Sequence, residues 1–279
     1  MKEVGVKWYS PGRIIVYAIL LMMTILSIFP FYWMLVIGSH DTSAVNKFPP
    51  AMLPGTKFME NVNKVFSNID FFAAIGNSVI ASTCITLSVL FFCSIAGFAF
   101  AKLQFKGRNV LFIFILATMM VPSQLGLIPS YMIISKLGWI NSLNAVIVPG
   151  LVNAFGVFWM RQYISATIPN ELMDAGRIDG CSNFRLYWNI TIPSIRPALA
   201  TLGLITFMNV WNDFLWPLVV LKDRSVQTIQ IALRTLNGAY YKDFAMILNG
   251  TFLATLPLLI VFLLFSKHFI AGLTEGSVK

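Results

Sequence analysis

The 279 residues carry 20 Lys and Arg against 11 Asp and Glu, for a formal charge of +9, yet only 11% are charged and 57% are hydrophobic. A soluble globule carries roughly 25% charged residues, and disordered chains or coiled coils carry more. All three are excluded, and the composition is that of an all-α integral membrane protein.

A bilayer core about 30 Å thick takes roughly 20 apolar helical residues. Six stretches meet that length: Ile14–Ile37, Ser78–Ala101, Val110–Ile134, Leu143–Met160, Pro197–Leu221 and Phe244–Ile270. The first opens like a signal peptide, with Lys2, Lys7 and Arg13 ahead of it. It is longer than an h-region and no small-residue cleavage site follows, so it reads as a retained anchor. The connection 38–72 holds Pro49, Pro50 and Pro54, then a short expected helix near Met59–Phe66. Pro122 and Pro129 interrupt the third span, Pro149 the fourth, Pro217 the fifth and Pro257 the sixth. Such breakers are tolerated where neighbours or a cavity satisfy the freed backbone groups, which favours a bundle that moves or lines a pathway.

With the N-terminus inside, that side holds twelve cations: Lys2, Lys7, Arg13, Lys102, Lys106, Arg108, Arg161, Arg177, Arg185, Arg196, Lys267 and Lys279. The remaining eight fall outside, so the bias places both termini in the cytoplasm. The expected organisation is an N-terminus 1–13, a six-helix domain 14–270 with an outer loop 38–72 and an inner loop 161–196, and a tail 271–279. The cations are spread singly over short connections, which argues against a nucleic-acid partner. Two histidines and three cysteines without a CxxC pair suggest neither a histidine-rich metal site nor a disulfide framework.

The inner loop is the most informative segment. Asn170 is expected to cap a helix whose first turn carries Glu171 and Asp174, as the helix dipole favours. Leu172, Ala175 and Ile178 fall on one apolar face. Gly180 sits where a C′ glycine ends a helix, and Ser182 can cap a second helix running to Pro193. A short exposed helix with an apolar stripe needs a partner to cover it.

Asp174-Ala175-Gly176, three residues, Gly180, nine residues, then Ile190-Thr191-Ile192-Pro193 resembles the EAA signature of ABC importer permeases: Glu-Ala-Ala, three residues, Gly, nine residues, Ile-x-Leu-Pro. Asp174, Gly176 and Ile192 depart from it while keeping charge, small size or apolarity. Asn77-Ser78, Phe105-Lys106-Gly107-Arg108, Met119-Met120-Val121-Pro122, Ile128-Pro129-Ser130-Tyr131, Leu137-Gly138-Trp139-Ile140-Asn141, Arg177-Ile178-Asp179 and Trp211-Asn212-Asp213-Phe214 resemble the carbohydrate branch of that family, the MalG-like permeases. The resemblance implies a type I importer (MetI-like) fold of six transmembrane helices in a bacterial or archaeal cell membrane. It further implies a second permease subunit, an extracytoplasmic solute-binding protein, a sugar substrate, and two ATPase subunits docked on the loop. Glu171, Asp174, Ala175, Gly176, Arg177, Asp179 and Gly180 would carry that coupling. No Gly-x-x-x-x-Gly-Lys-Ser/Thr run occurs in the sequence. ATP and magnesium would therefore be bound by the partner ATPases, and this chain would be non-catalytic.

In the fifth span Asn209, Asn212 and Asp213 interleave with Trp211 and Trp216, a mixture of polar groups and rings that suits a sugar. On a continuous helix the three polar residues share one face. They are candidate pathway residues, and Asn153 and Asn249 are weaker ones, since a lone Asn can simply hydrogen-bond across helices. The competing reading pairs Asp213 with Lys222 near the outer interface and places the tryptophans in an aromatic belt. Two other functions stay open: import of a non-sugar solute such as polyamine or phosphate, and an integral membrane enzyme using the inner-loop acids.

Overall fold

The computed structural model describes residues 11–238 and 242–274. The expected terminal segments 1–13 and 271–279 lie mostly outside the described residues. Among those described, every regular element is helical. In chain order they are α1 Pro11–Gly38, α2 Phe58–Asn68, α3 Phe71–Lys102, α4 Arg108–Met119, α5 Leu127–Lys136, α6 Asn144–Ile147, α7 Ala154–Thr167, α8 Asn170–Ile178, α9 Asn183–Leu186, a π-helical turn Tyr187–Thr191, α10 Ile192–Ser194, α11 Arg196–Trp211, α12 Leu215–Val220, α13 Ile229–Thr235 and α14 Phe244–Thr274.

Three helices, α1, α3 and α14, are long and apolar enough to cross a bilayer, and two bent pairs raise the number to five. The third span, expected to be interrupted at Pro122 and Pro129, is one of those pairs. It bends by 93° between α4 and the Ser123–Lys136 segment, because Pro122 removes a backbone donor and cannot continue the helix. The second pair is Asn183–Ser194 with α11, bent by 77°. The expected fourth span is broken around Pro149 into α6, a 3-10 turn and α7. The fifth stops at Trp211 and restarts as α12. α3 begins seven residues before the expected Ser78, and at ~1.5 Å per residue its 32 residues extend about 48 Å.

The chain packs as two compact units. One comprises Met1–Asn68 and Leu236–Leu253. In it α1 presents exposed apolar side chains on all faces from Ile14 to Ile28, as a lipid-facing helix does. Its last carbonyl, Gly38 O, accepts from Asn61 Nδ2 at 2.9 Å and Asn249 Nδ2 at 3.1 Å. Asn249, a weak pathway candidate, is buried here and satisfies a helix end. Lys57 Nζ meets Asp41 Oδ1 at 2.5 Å, which holds the Asp41 carboxyl below its ordinary value and Lys57 above it.

The other unit comprises Ile69–Thr235 and the chain from Ala254 on. Its centre is α3, against which α7 and α11 pack, with Ile85, Val89, Cys93 and Phe98 buried. Small residues set the spacing. A Cβ on Gly97 would stand 2.6 Å from Met160 Cβ, and one on Gly156 would stand 2.8 Å from Cys93 Sγ. Only glycine permits that approach of two helices. Two further motif residues fasten loops to α3: Asn77 Nδ2 donates to Ser225 O and Gln227 O at 2.9 and 3.0 Å, and Ser78 Oγ accepts from Ile229 N at 2.8 Å.

Candidate functional site

The segment from Pro169 to Ser194 folds as a helix, a sharp bend and a second helical run. Pro169, in extended conformation, stands at the capping position of α8 with no side-chain cap. Asn170 is therefore the first helical residue rather than the cap. Its Oδ1 accepts from Lys102 Nζ at 2.9 Å, and the same ammonium donates to Ile168 O, so the last residue of α3 anchors the start of α8. Glu171 lies in the first turn and Arg177 in the last, both favourable to the helix dipole. Arg177 Nη1 meets Asp174 Oδ1 at 2.8 Å, and its Nη2 donates to Lys102 O at 3.3 Å.

Gly180 ends the helix with φ +76°, and Cys181 N closes the turn onto Gly176 O at 2.9 Å. An L side chain is strained in that conformation. Ser182 Oγ accepts from Arg185 N at 3.4 Å and caps α9. The π-helical turn that follows places Tyr187 inward, where its hydroxyl meets Ser94 Oγ of α3 at 2.7 Å.

α8 therefore has two apolar faces. Met173, 1% exposed, and Gly176 are buried against the unit. The stripe predicted from spacing, Leu172, Ala175 and Ile178, faces away; Leu172 is 45% and Ile178 87% exposed. Asp174, Arg177, Asp179 and Gly180 are exposed with it.

The second constellation is a cavity of about 420 Å³ where the broken elements meet. Ser123, Gln124 and Ser130 line it from the α4–α5 bend, Pro149 from the α6–α7 break, and Asp213 and Trp216 from the α11–α12 break. Irregular backbone at membrane depth is tolerated where it lines a cavity. The Asp213 carboxylate faces the backbone N–H groups of Phe214, Leu215 and Trp216 at the start of α12, not Lys222. Trp216 Nε1 donates to Ala145 O at 2.9 Å, tying α12 to α6.

Residues 91–273 match the family model described as the binding-protein-dependent transport system inner membrane component. The chain belongs to that family. The permease is 38% identical over 227 residues, 81% of each chain, to the arabinooligosaccharides transport system permease protein AraQ of Halalkalibacterium halodurans. It is 34% identical over 266 residues, 95% of this chain and 96% of the other, to the lactose transport system permease protein LacG of Rhizobium radiobacter. Its fold matches the crystal structure of a bacterial ABC transporter involved in the import of the acidic polysaccharide alginate. That match has a TM-score of 0.79 at 24% identity and covers 94% of this chain and 99% of that one. The protein is thus an ABC importer permease, a non-catalytic membrane component.

Within the permease the expected pathway residues separate. Asp213 and Trp216 line the cavity. Asn209 and Asn212 are exposed outside its lining, because α11 ends at Trp211 and the helical register that would align them with Asp213 does not continue. Asn212 Nδ2 instead donates to Met208 O at 2.8 Å and its Oδ1 accepts from Gln230 Nε2 at 3.4 Å. Trp211 is 2% exposed and stacked on Phe207 at 5.9 Å, a packing residue. Asn153 caps α7, its Oδ1 accepting from Gly156 N at 2.6 Å. The sequence reading missed Ser123, Gln124 and Ser130, although polar residues directly after Pro122 in an apolar run were a usable signal.

Asn141 closes the Leu137–Asn141 motif. Its Oδ1 accepts from Lys222 N at 2.9 Å and Asp223 N at 2.8 Å, its Nδ2 donates to Asp223 Oδ2, and its own N–H donates to Val220 O at 2.8 Å. The residue adopts φ +64° to do so and clamps the end of α12, the helix that carries Trp216.

Proposed function

We propose that this permease forms half of the translocation pathway of an ATP-driven sugar importer and receives the ATPase stroke through α8. The carrying observation is the exposed Leu172–Ala175–Ile178 stripe on a helix whose opposite face is locked by Met173, Gly176 and the Lys102 contacts. A stripe so placed presents an apolar docking face, and a helix so anchored moves as a rigid body with α3. Two ATPase subunits, binding ATP and magnesium themselves, would cover the stripes of this chain and of a second permease subunit, and a binding protein would deliver solute from the opposite side. Both termini and α8 would then lie in the cytoplasm, as the Lys and Arg bias indicates.

A sugar is supported by the names of the relatives and by the cavity, where a carboxylate, two serines, a glutamine and an indole converge in a volume typical of small-molecule pockets. Ile178→Asp tests the docking. ATPase subunits should co-purify with the wild-type permease and be largely lost from the variant, with permease yield retained. Equal recovery of ATPase on both would refute the docking face.

A further inference from the structure

Ser94, Phe98 and Lys102 stand at i, i+4 and i+8 on α3 and form one stripe of that helix. Each of them touches the loop that carries α8. Lys102 Nζ donates to Ile168 O and to Asn170 Oδ1, and Lys102 O accepts from Arg177 Nη2. The Phe98 and Tyr187 rings lie 5.6 Å apart, centroid to centroid. Ser94 Oγ lies 2.7 Å from the Tyr187 hydroxyl. The direction of this last bond follows from its neighbour. Ser94 Oγ also stands 3.1 Å from Phe91 O, which can only accept. The single serine proton goes there, so the Tyr187 hydroxyl donates. Both side chains are buried, where a hydrogen bond is stronger than in water.

The two ends of this seam lie about 12 Å apart along α3, and they differ in stiffness. Lys102 reaches the loop with a long, rotamer-rich side chain, whereas Tyr187 reaches α3 with a rigid ring. Between them the loop is one block. Gly176 of α8 sits against Leu186 of α9. The π-helical turn after it is closed by Thr191 Oγ1 donating to Leu186 O at 3.3 Å, and such turns recur at functional sites. A block held only at Lys102 would pivot there. Held at both ends, it turns α3 with it, and α3 carries Ile85 into the lining of the broken-helix cavity. We propose that Tyr187 is a positioning residue for transport, whose hydrogen bond to Ser94 fixes α8 and α9 to α3 so that movement of the loop reaches the cavity as movement of α3. The inference rests on the reading of α8 as the ATPase contact.

Tyr187→Phe removes the hydroxyl and keeps the ring against Phe98. In the assembled, reconstituted transporter it should leave ATP hydrolysis and the melting temperature near wild type. Solute transported per ATP should fall about fivefold, the equilibrium effect of one net hydrogen bond. Adding Ser94→Ala should lower that ratio no further, because the bond is already gone. A wild-type ratio in Tyr187→Phe, or a further severalfold fall in the double variant, would overturn the proposal. Should Tyr187→Phe assemble poorly, the isosteric pair Ser94→Thr and Ser94→Val decides the matter. Threonine keeps an accepting hydroxyl and should transport more solute per ATP than valine, and equal ratios in the pair would refute the role. Failure here is separable from failure of the α8 reading. Ile178→Asp that retains its ATPase subunits removes that reading, whereas loss of ATPase from Ile178→Asp with a wild-type ratio in Tyr187→Phe removes only the role of Tyr187.

Discussion

A Cβ on Gly176 would stand 2.5 Å from Leu186 Cδ2, so α8 and α9 meet at a separation that admits a larger residue only if the Leu186 side chain shifts. The neighbour is the end of a flexible side chain, so Gly176→Ala should cost little. Gly176→Leu overpacks the contact and should destabilise the complex by about 1–3 kcal/mol. Thermal unfolding of the purified complex measures it, and adding Leu186→Ala should recover part of the loss. No recovery would mean that the strain lies elsewhere.

Asn153 is a helix cap, and its removal should be read in stability rather than in solute affinity. Asn153→Ala should cost about 1 kcal/mol, while Asn153→Asp, which keeps the accepting oxygen, should cost less. Transport per assembled complex should stay near wild type in both. A large rise in apparent KM at unchanged melting temperature would restore Asn153 to the pathway.

Among the described residues Asp213 is the one carboxylate in the lining of the broken-helix cavity. If it bonds solute there, Asp213→Ala should lower apparent affinity about tenfold, the effect of deleting one buried partner. Asn209→Ala, outside the cavity, should transport as wild type. Solute uptake normalised to assembled complex compares the two, and an equal loss in both would contradict the assignment.

The difference between Asn209 and Asp213 shows where the sequence was legible. Composition and apolar run length mark the spans because a bilayer demands both of every crossing helix. The α8 stripe, the Gly180 bend and the Ser182 cap were legible because each depends on residues a few positions apart. The breaks at Pro122 and Pro149 were legible for the same reason, but the one in the fifth span was not placed. Pro217 announces that a backbone bond is lost, but α11 already stops at Trp211, where no local breaker stands, and α12 runs Leu215–Val220 with Pro217 inside it, so the stop is not set by neighbours in sequence. Asn141 was opaque for the same reason, since its partners lie about 80 residues away.

Sidedness can be checked directly. Cysteines at Ser43 and Ser182, both exposed, in a background without native cysteines, should react with a membrane-impermeant thiol reagent from opposite sides. Labelling of both from the outside would reverse the placement of α8.

The central claim is that α8 transmits the ATPase stroke, and the ratio of solute transported to ATP hydrolysed in Gly180→Val measures it most directly. A Cβ at Gly180 meets nothing within 4 Å, so the substitution acts only through the φ of +76°, at roughly 1–2 kcal/mol of backbone strain. The complex should still assemble and hydrolyse ATP while transport per ATP falls severalfold, and Gly180→Asn, which tolerates the left-handed conformation, should restore most of it. A wild-type ratio in Gly180→Val would contradict the account.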